Sequence, residues 1–252
     1  MIFDKERFEI IASSFRKQNS TKIGTLSEKR LHLVLKKYFC DDEAKHEVKL
    51  GPYFLDIFND EIIEIQTRSM NKLRNKLDYF LDDYKVTIVY PIAHTKWVQW
   101  IDEATGEVTK RRKSPKCGKY LDAIKELYKI KMYLQHPNLA IHLMLIDMDE
   151  FRNLDGWSKD KKKGSTKIDR IPSALLGEIR LSEKEDFRMM IPEGLPERFM
   201  TKDFKKKAHA SDKGASAGIS LLKHLGFIRQ VGKEGRAYLY EVVNSDENCR
   251  TE

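Results

Sequence analysis

Tyr53-Phe54-Leu55-Asp56-Ile57-Phe58, then Asn59-Asp60, then Glu61-Ile62-Ile63-Glu64-Ile65-Gln66-Thr67, is the stretch whose reading decides the fold. Two short strands flank a turn, and they set Asp56, Glu64 and Gln66 among residues that otherwise belong in a core. Side chains on a strand alternate with a period of two, so Glu64 and Gln66 share a face with Ile62, while Ile63 and Ile65 fill the other. A carboxylate among strand-forming apolar residues is costly unless it is paired, hydrogen-bonded or bound to a cation, and two side by side repel each other. A divalent metal ion resolves both problems.

Upstream, residues 46–50 read as a further strand, so three strands joined by short turns form an antiparallel meander. Before them the spacing predicts a helix over 26–39, with Leu31, Leu35, Tyr38 and Phe39 on an inward stripe and Glu28 on the same stripe. Glu28 is also explained as a first-turn glutamate favoured by the helix dipole. Asp4 caps an earlier helix through about residue 18, with Phe8, Ile11 and Phe15 on one side. Downstream come a helix over 72–81, a buried strand over 85–92, and a hairpin of Trp97-Val98-Gln99-Trp100-Ile101 with the stretch after Gly106. A basic run over 110–116, a helix over 119–134 and an apolar strand over 139–146 follow. The order αβββαβ with a later αβ is an α/β sandwich around a mixed sheet.

A polar, lysine-rich stretch over 155–167 reads as a loop, and a helical or extended connector leads through Leu181 to a turn at 192–196. A small module begins near Phe199. Thr201 caps a helix over 202–208, Ser211 caps another through about 225, and Gly226 closes it where left-handed backbone is wanted. A hairpin ends the module, its strands at 227–231 and 237–242 flanking the turn Gly232-Lys233-Glu234-Gly235. The expected organisation is a helical extension (1–24), an α/β domain (25–181), a linker (182–196), the small module (197–245) and a tail (246–252).

The chain has 252 residues, of which 40% are hydrophobic, enough for a core. Its net charge of +8 points to a polyanionic partner, although a lysine-rich solvated surface gives the same figure. Cys40, Cys117 and Cys249 are far apart and odd in number, which argues against a disulfide framework or a CxxC zinc site. No signal peptide is visible at the acidic and basic start, and no stretch has the length of a membrane-spanning helix, so a cytoplasmic protein with no membrane partner is expected. The histidines, His32, His46, His94 and His142 among them, show no HExxH spacing, and Gly118-Lys119-Tyr120 lacks the other elements of a P-loop.

Glu28 on a helix, Asp56 on the second strand and Glu64-x-Gln66 on the third together resemble the PD-(D/E)XK nuclease superfamily, the restriction-endonuclease-like fold, over roughly residues 25–146. The resemblance implies a metal-dependent endonuclease that hydrolyses phosphodiesters, with Asp56 and Glu64 binding Mg²⁺ or Mn²⁺ and Glu28 holding a metal-coordinated water or a second ion. It assigns Gln66 the place usually held by a lysine that orients or activates water. Glutamine can position water but brings no charge; Lys49 or Arg68 would supply it. Asp56 and Glu64 would also fit the solvated face of an edge hairpin, with Glu64 paired to a Lys or Arg.

Residues 197–243 resemble a winged helix-turn-helix, which implies that the second helix enters the major groove of duplex DNA. That helix presents Lys213, Ser216, Ser220 and Lys223, while Ile219, Leu221, Leu222 and Leu225 pack inward. Lys233 and Arg236 decorate the wing, and Lys205-Lys206-Lys207 make the first helix basic. Such contacts grip phosphate and are salt-sensitive; a module of this kind also serves protein contacts. Arg111, Arg112 and Lys113 in the basic run, and the lysines over 159–167 with Trp157 to stack on a base, would track a nucleic-acid backbone or remain solvated loops. Double-strand cutting takes two active sites, which a homodimer provides. The rival reading, motivated by Gln66, is a catalytically inactive nuclease-fold DNA-binding or regulatory protein. A winged-helix regulator that senses a small molecule is the third.

Overall fold

The computed structural model describes residues 3–18, 29–102, 105–154 and 166–243. Period-two patterning yields β1 (His46–Leu50), β2 (Tyr53–Asn59) and β3 (Glu61–Ile65), paired antiparallel with His46 facing Ile57 and Ile57 facing Ile63. Gly51 and Asp60 take the left-handed backbone that these tight turns require, at φ 57° each.

Two helices, α1 (Lys5–Gln18) and α2 (Arg30–Phe39), cover these strands. Asp4 caps α1, its Oδ1 accepting the Arg7 amide at 2.9 Å. Phe8, Leu31, Val34, Leu35 and Tyr38 share one core with Ile57, Ile63 and Ile65 of the sheet. The start of α2 departs from the periodicity. Lys29 is extended at φ −72°, ψ 138°, so the helix begins at Arg30 rather than near 26, and Glu28 lies outside the described residues. Lys29, at the N-cap, makes no side-chain cap hydrogen bond. Instead Asp169, on β7 (Thr166–Leu181), accepts the Arg30 amide at 3.2 Å and faces its guanidinium at 3.5 Å. A carboxylate from across the fold thus stands at the positive end of the helix.

The remaining sheet strands are longer than their apolar runs. β4 (Val86–Ile101) and β6 (Leu139–Asn153) join β7 to give the order β1-β2-β3-β4-β6-β7, with the two-residue β5 (Arg112–Lys113) on β4. The runs at 85–92 and 97–101 are therefore one strand that continues through Pro91, and the stretch read as a connector before Leu181 is an edge strand, where Pro172 needs no amide partner. Trp97 faces Lys113, and Ile101 faces Val108 across a turn where Gly106 has φ 73°. The expected helix over 119–134 breaks up. A 3-10 turn (Tyr120–Ala123) leads to α4 (Ile124–Leu127) and a second 3-10 stretch (Tyr128–Tyr133), within which buried Ile130 leaves the helical region at φ −122°. Before it, α3 (Arg74–Phe80) follows a 3-10 turn. The architecture is a mixed β-sheet flanked by α-helices.

The chain divides into two compact units that cut across linear order: residues 1–67, 88–119 and 142–179 form one, and residues 68–87, 120–141 and 180–252 the other. In the second unit, β8 (Arg198–Met200), α5 (Thr201–Lys207), α6 (Asp212–His224), β9 (Ile228–Glu234) and β10 (Ala237–Val242) build a three-stranded antiparallel sheet, order β8-β10-β9, with two helices. Ser211 caps α6 as expected, its Oγ accepting the Gly214 amide at 3.2 Å. Thr201 does not cap α5: it is the first helical residue, and Asp203 reaches back to the Met200 amide at 2.9 Å. Gly232-Lys233-Glu234 belongs to β9 rather than to the turn, which falls at Gly235 (φ 60°) and Arg236. Gly214 and Gly218 let α6 approach its neighbours: a Cβ on Gly218 would sit 2.5 Å from Phe204 Cζ and 3.4 Å from Ile124 Cγ2. Among the described residues no helix is long and apolar enough to cross a membrane.

Candidate functional site

Asp56 stands where β2 and β3 part. Their pairing runs from Asn59–Glu61 to Ile57–Ile63, so the next step sets Asp56 opposite Glu64. There the Ile65 amide donates to Asp56 Oδ2 at 2.7 Å, and a carboxylate takes the place of a backbone acceptor. The same oxygen lies 3.1 Å from His32 Nε2 of α2. Glu64 is only 6% exposed, set between Ile63 and Ile65. Gln66, half-buried, ties β3 to β4 by donating its amide to the Val89 carbonyl at 2.8 Å.

On the other side of Asp56, between the pairs His46–Ile57 and Val48–Leu55, stands Glu47 of β1. Its backbone is left-handed at φ 51°, and its carboxylate meets Lys36 Nζ at 2.6 Å. Lys36 is 3% exposed. It follows His32 by one helical turn, so α2 lays an imidazole and an ammonium along a cross-strand row of Glu47, Asp56 and Glu64. Burying that ammonium is tolerable because it is paired, and the row of acids is tolerable because α2 supplies opposite charge.

Sequence reasoning missed His32 and Lys36. The signal was present: two polar residues at i, i+4 flank the apolar stripe of Leu31 and Leu35 on the helix that covers the acidic strands. Lys49 and Arg68, expected to supply charge, are both exposed, and Lys49 stands opposite Phe54 rather than Asp56. Among the described residues, no three of His, Cys, Asp and Glu group so as to hold a metal ion. Glu28 is outside them. Asp56 and Glu64 nevertheless suit Mg²⁺, a hard cation that is held through one or two carboxylates and keeps waters or substrate phosphate in its remaining positions.

The expected nucleic-acid residues divide. Arg111 is committed within the protein: it meets Asp149 Oδ1 at 2.5 Å and stacks over Trp97 at 3.9 Å. Arg112 and Lys113 are exposed on β5. Lys213, Lys223, Lys233 and Arg236 are exposed on α6 and the hairpin, with Lys233 5.0 Å over the Tyr238 ring. Lys205 is paired with Asp212 at 2.7 Å. One side of α6 lines an open cleft of about 630 Å³ with Lys131, Thr201, Ser216, Ser220, Lys223 and Tyr240, where Lys131 donates to Ser220 at 2.9 Å. That part of α6 is thus occupied by its own unit's lysine. Trp157 and residues 159–165 lie outside the described residues.

Residues 29–182 match the family model described as "Domain of unknown function (DUF8091)". An uncharacterized protein of Treponema pallidum (strain Nichols) is 26% identical over 234 residues, covering 90% of each chain. No solved structure matches.

Proposed function

The chain belongs to the DUF8091 family, and on that premise we propose that it is a metal-dependent DNA endonuclease of restriction-endonuclease-like fold with a winged-helix module. The observation that carries this reading is the junction of β2 and β3. Asp56 and Glu64 face each other there on adjacent strands, in the αβββαβ order formed by α2, β1, β2, β3, α3 and β4.

Asp56 and Glu64 would hold Mg²⁺ or Mn²⁺. When bound, such an ion supplies a nucleophile by lowering the pKa of its water, and offsets charge on the phosphate. Asp56 is held in place by the Ile65 amide and His32, so one carboxylate oxygen is oriented before any ligand arrives. Gln66 would orient water by hydrogen bonding. Lys36, buried one turn beyond His32, is the candidate for the positive charge that Gln66 lacks. Glu28 keeps the assisting role implied by the resemblance.

Support for the winged helix comes from the strand order β8-β10-β9 around α5 and α6, with Lys213, Lys223, Lys233 and Arg236 exposed for phosphate. Incubating the protein with supercoiled plasmid and Mg²⁺ or Mn²⁺ tests the reading. It expects nicking or linearisation that Asp56→Asn and Glu64→Gln abolish; cleavage that survives both variants, or none by the parent, defeats it.

A second reading keeps the fold and the DNA binding without the chemistry. The Asp56 contacts favour it, since the Ile65 amide already donates to the oxygen a metal would use and His32 Nε2 lies 3.1 Å from it. Salt-sensitive DNA binding without calorimetric uptake of Mn²⁺ would select it.

A further inference from the structure

The first unit holds a second concentration of charge, on β4, β6 and β7, away from the Asp56 junction in sequence. Glu150 of β6 is fully buried. Three cations converge on its carboxylate: Arg152 Nε at 2.7 Å from Oε1, Arg170 Nε at 3.1 Å from Oε2, and Lys96 Nζ at 3.3 Å from both oxygens. One negative charge organises three positive ones.

We propose that Lys96, Arg152 and Arg170, with Arg112 beside them on β5, bind the phosphodiester backbone of nucleic acid, and that Glu150 is the buried post that aims the first three. The side chains of Lys96, Arg152 and Arg170 remain 20%, 18% and 27% exposed, so each keeps a face toward solvent. Arg170 engages Glu150 through Nε alone, which leaves the terminal nitrogens of its planar fork for a second anion. Crowding cations at one carboxylate is unfavourable for folding by itself, because like charges repel and only one is neutralised. A polyanion relieves that repulsion, and phosphate oxygens match the donors on offer. The neighbouring strand extends the surface: the Lys96 carbonyl accepts the Ser114 amide at 2.7 Å, which runs Arg112 and Lys113 of β5 beside it. This site lies apart in sequence from the winged-helix module, and it deepens the reading above, on whose DNA-binding part it rests.

Fluorescence anisotropy with a 20-base-pair duplex in EDTA, over a series of salt concentrations, tests the proposal. Arg170→Gln and Arg112→Gln should each weaken binding several-fold and reduce the slope of log affinity against log salt by about one. Lys5→Gln, which removes the same charge from α1, should leave both unchanged. Arg112 is exposed on the two-residue β5, and a thermal melt verifies that both variants fold. If the parent binds and both cluster variants match it in affinity and slope, this site is wrong while the DNA-binding reading stands. If the parent binds no duplex at low salt, both are wrong.

Discussion

The Asp56 carboxylate accepts the backbone amide of Ile65 at 2.7 Å, one step beyond the last paired residues of β2 and β3. A side chain therefore holds two strands together at the place where a metal would bind, so structure and chemistry draw on the same oxygen atoms. Asp56→Asn keeps a carbonyl acceptor for the amide and should leave thermal stability near that of the parent. Asp56→Ala leaves a half-buried amide unpaired and should cost about 1–3 kcal/mol. Both should lose Mn²⁺ binding. Urea melts and calorimetry on the pair separate the two roles.

Gln66→Lys places an ammonium beside Glu64, and the account expects faster plasmid cleavage in Mn²⁺. Lys36→Met removes the buried ammonium of α2 and should slow cleavage by about 100-fold, the scale of losing one electrostatic stabiliser. A Lys36→Met variant with parental cleavage would exclude Lys36 from the chemistry. The measurement is the initial rate of supercoiled plasmid loss.

The three strands around Asp56 were legible because each buries one face, and that fixes a period of two. Their partners were harder to read. His32 and Lys36 act from a helix whose polar positions look solvent-facing in sequence, and only its packing on β1 and β2 turns them inward. The span of β7 was hidden for a related reason. Arg170, Glu178 and Arg180 break its apolar pattern, and the contact of Arg170 with Glu150 that justifies one of those charges joins residues 20 positions apart. Asp169 capping α2 spans 139 positions. Capping logic looks for a local residue, and here the cap is long-range.

Glu150 predicts a specific acid response. Burial pushes its carboxyl up, but Arg170, Lys96 and Arg152 outweigh this and hold it at about 2, below the ordinary 4.5. A depressed pKa stabilises the fold above the unfolded value, and that stability is lost as pH falls from about 4.5 toward about 2. The contribution at neutral pH is on the order of 3 kcal/mol. Glu150→Gln should lower stability at pH 7 and flatten the decline between pH 5 and pH 2. Denaturant melts at several pH values read both effects.

Gly218 lets α6 lie against Phe204 of α5. An added Cβ would approach Phe204 Cζ to 2.5 Å, and that ring is fully buried, so Gly218→Ala should destabilise the second unit. Overpacking of this kind costs about 1–3 kcal/mol. Gly232→Ala, with nothing within 4 Å of the new atom, is the matched control and should be far milder. The midpoint of urea unfolding distinguishes them.

The central claim is that Asp56 and Glu64 converge on a metal ion, and anomalous diffraction from crystals soaked in Mn²⁺ tests it most directly. The account predicts a peak bridging the two carboxylates, with water in its remaining positions, that vanishes in Glu64→Gln. Asp56 still held by His32 and the Ile65 amide, with no peak beside Glu64 at saturating Mn²⁺, would contradict it.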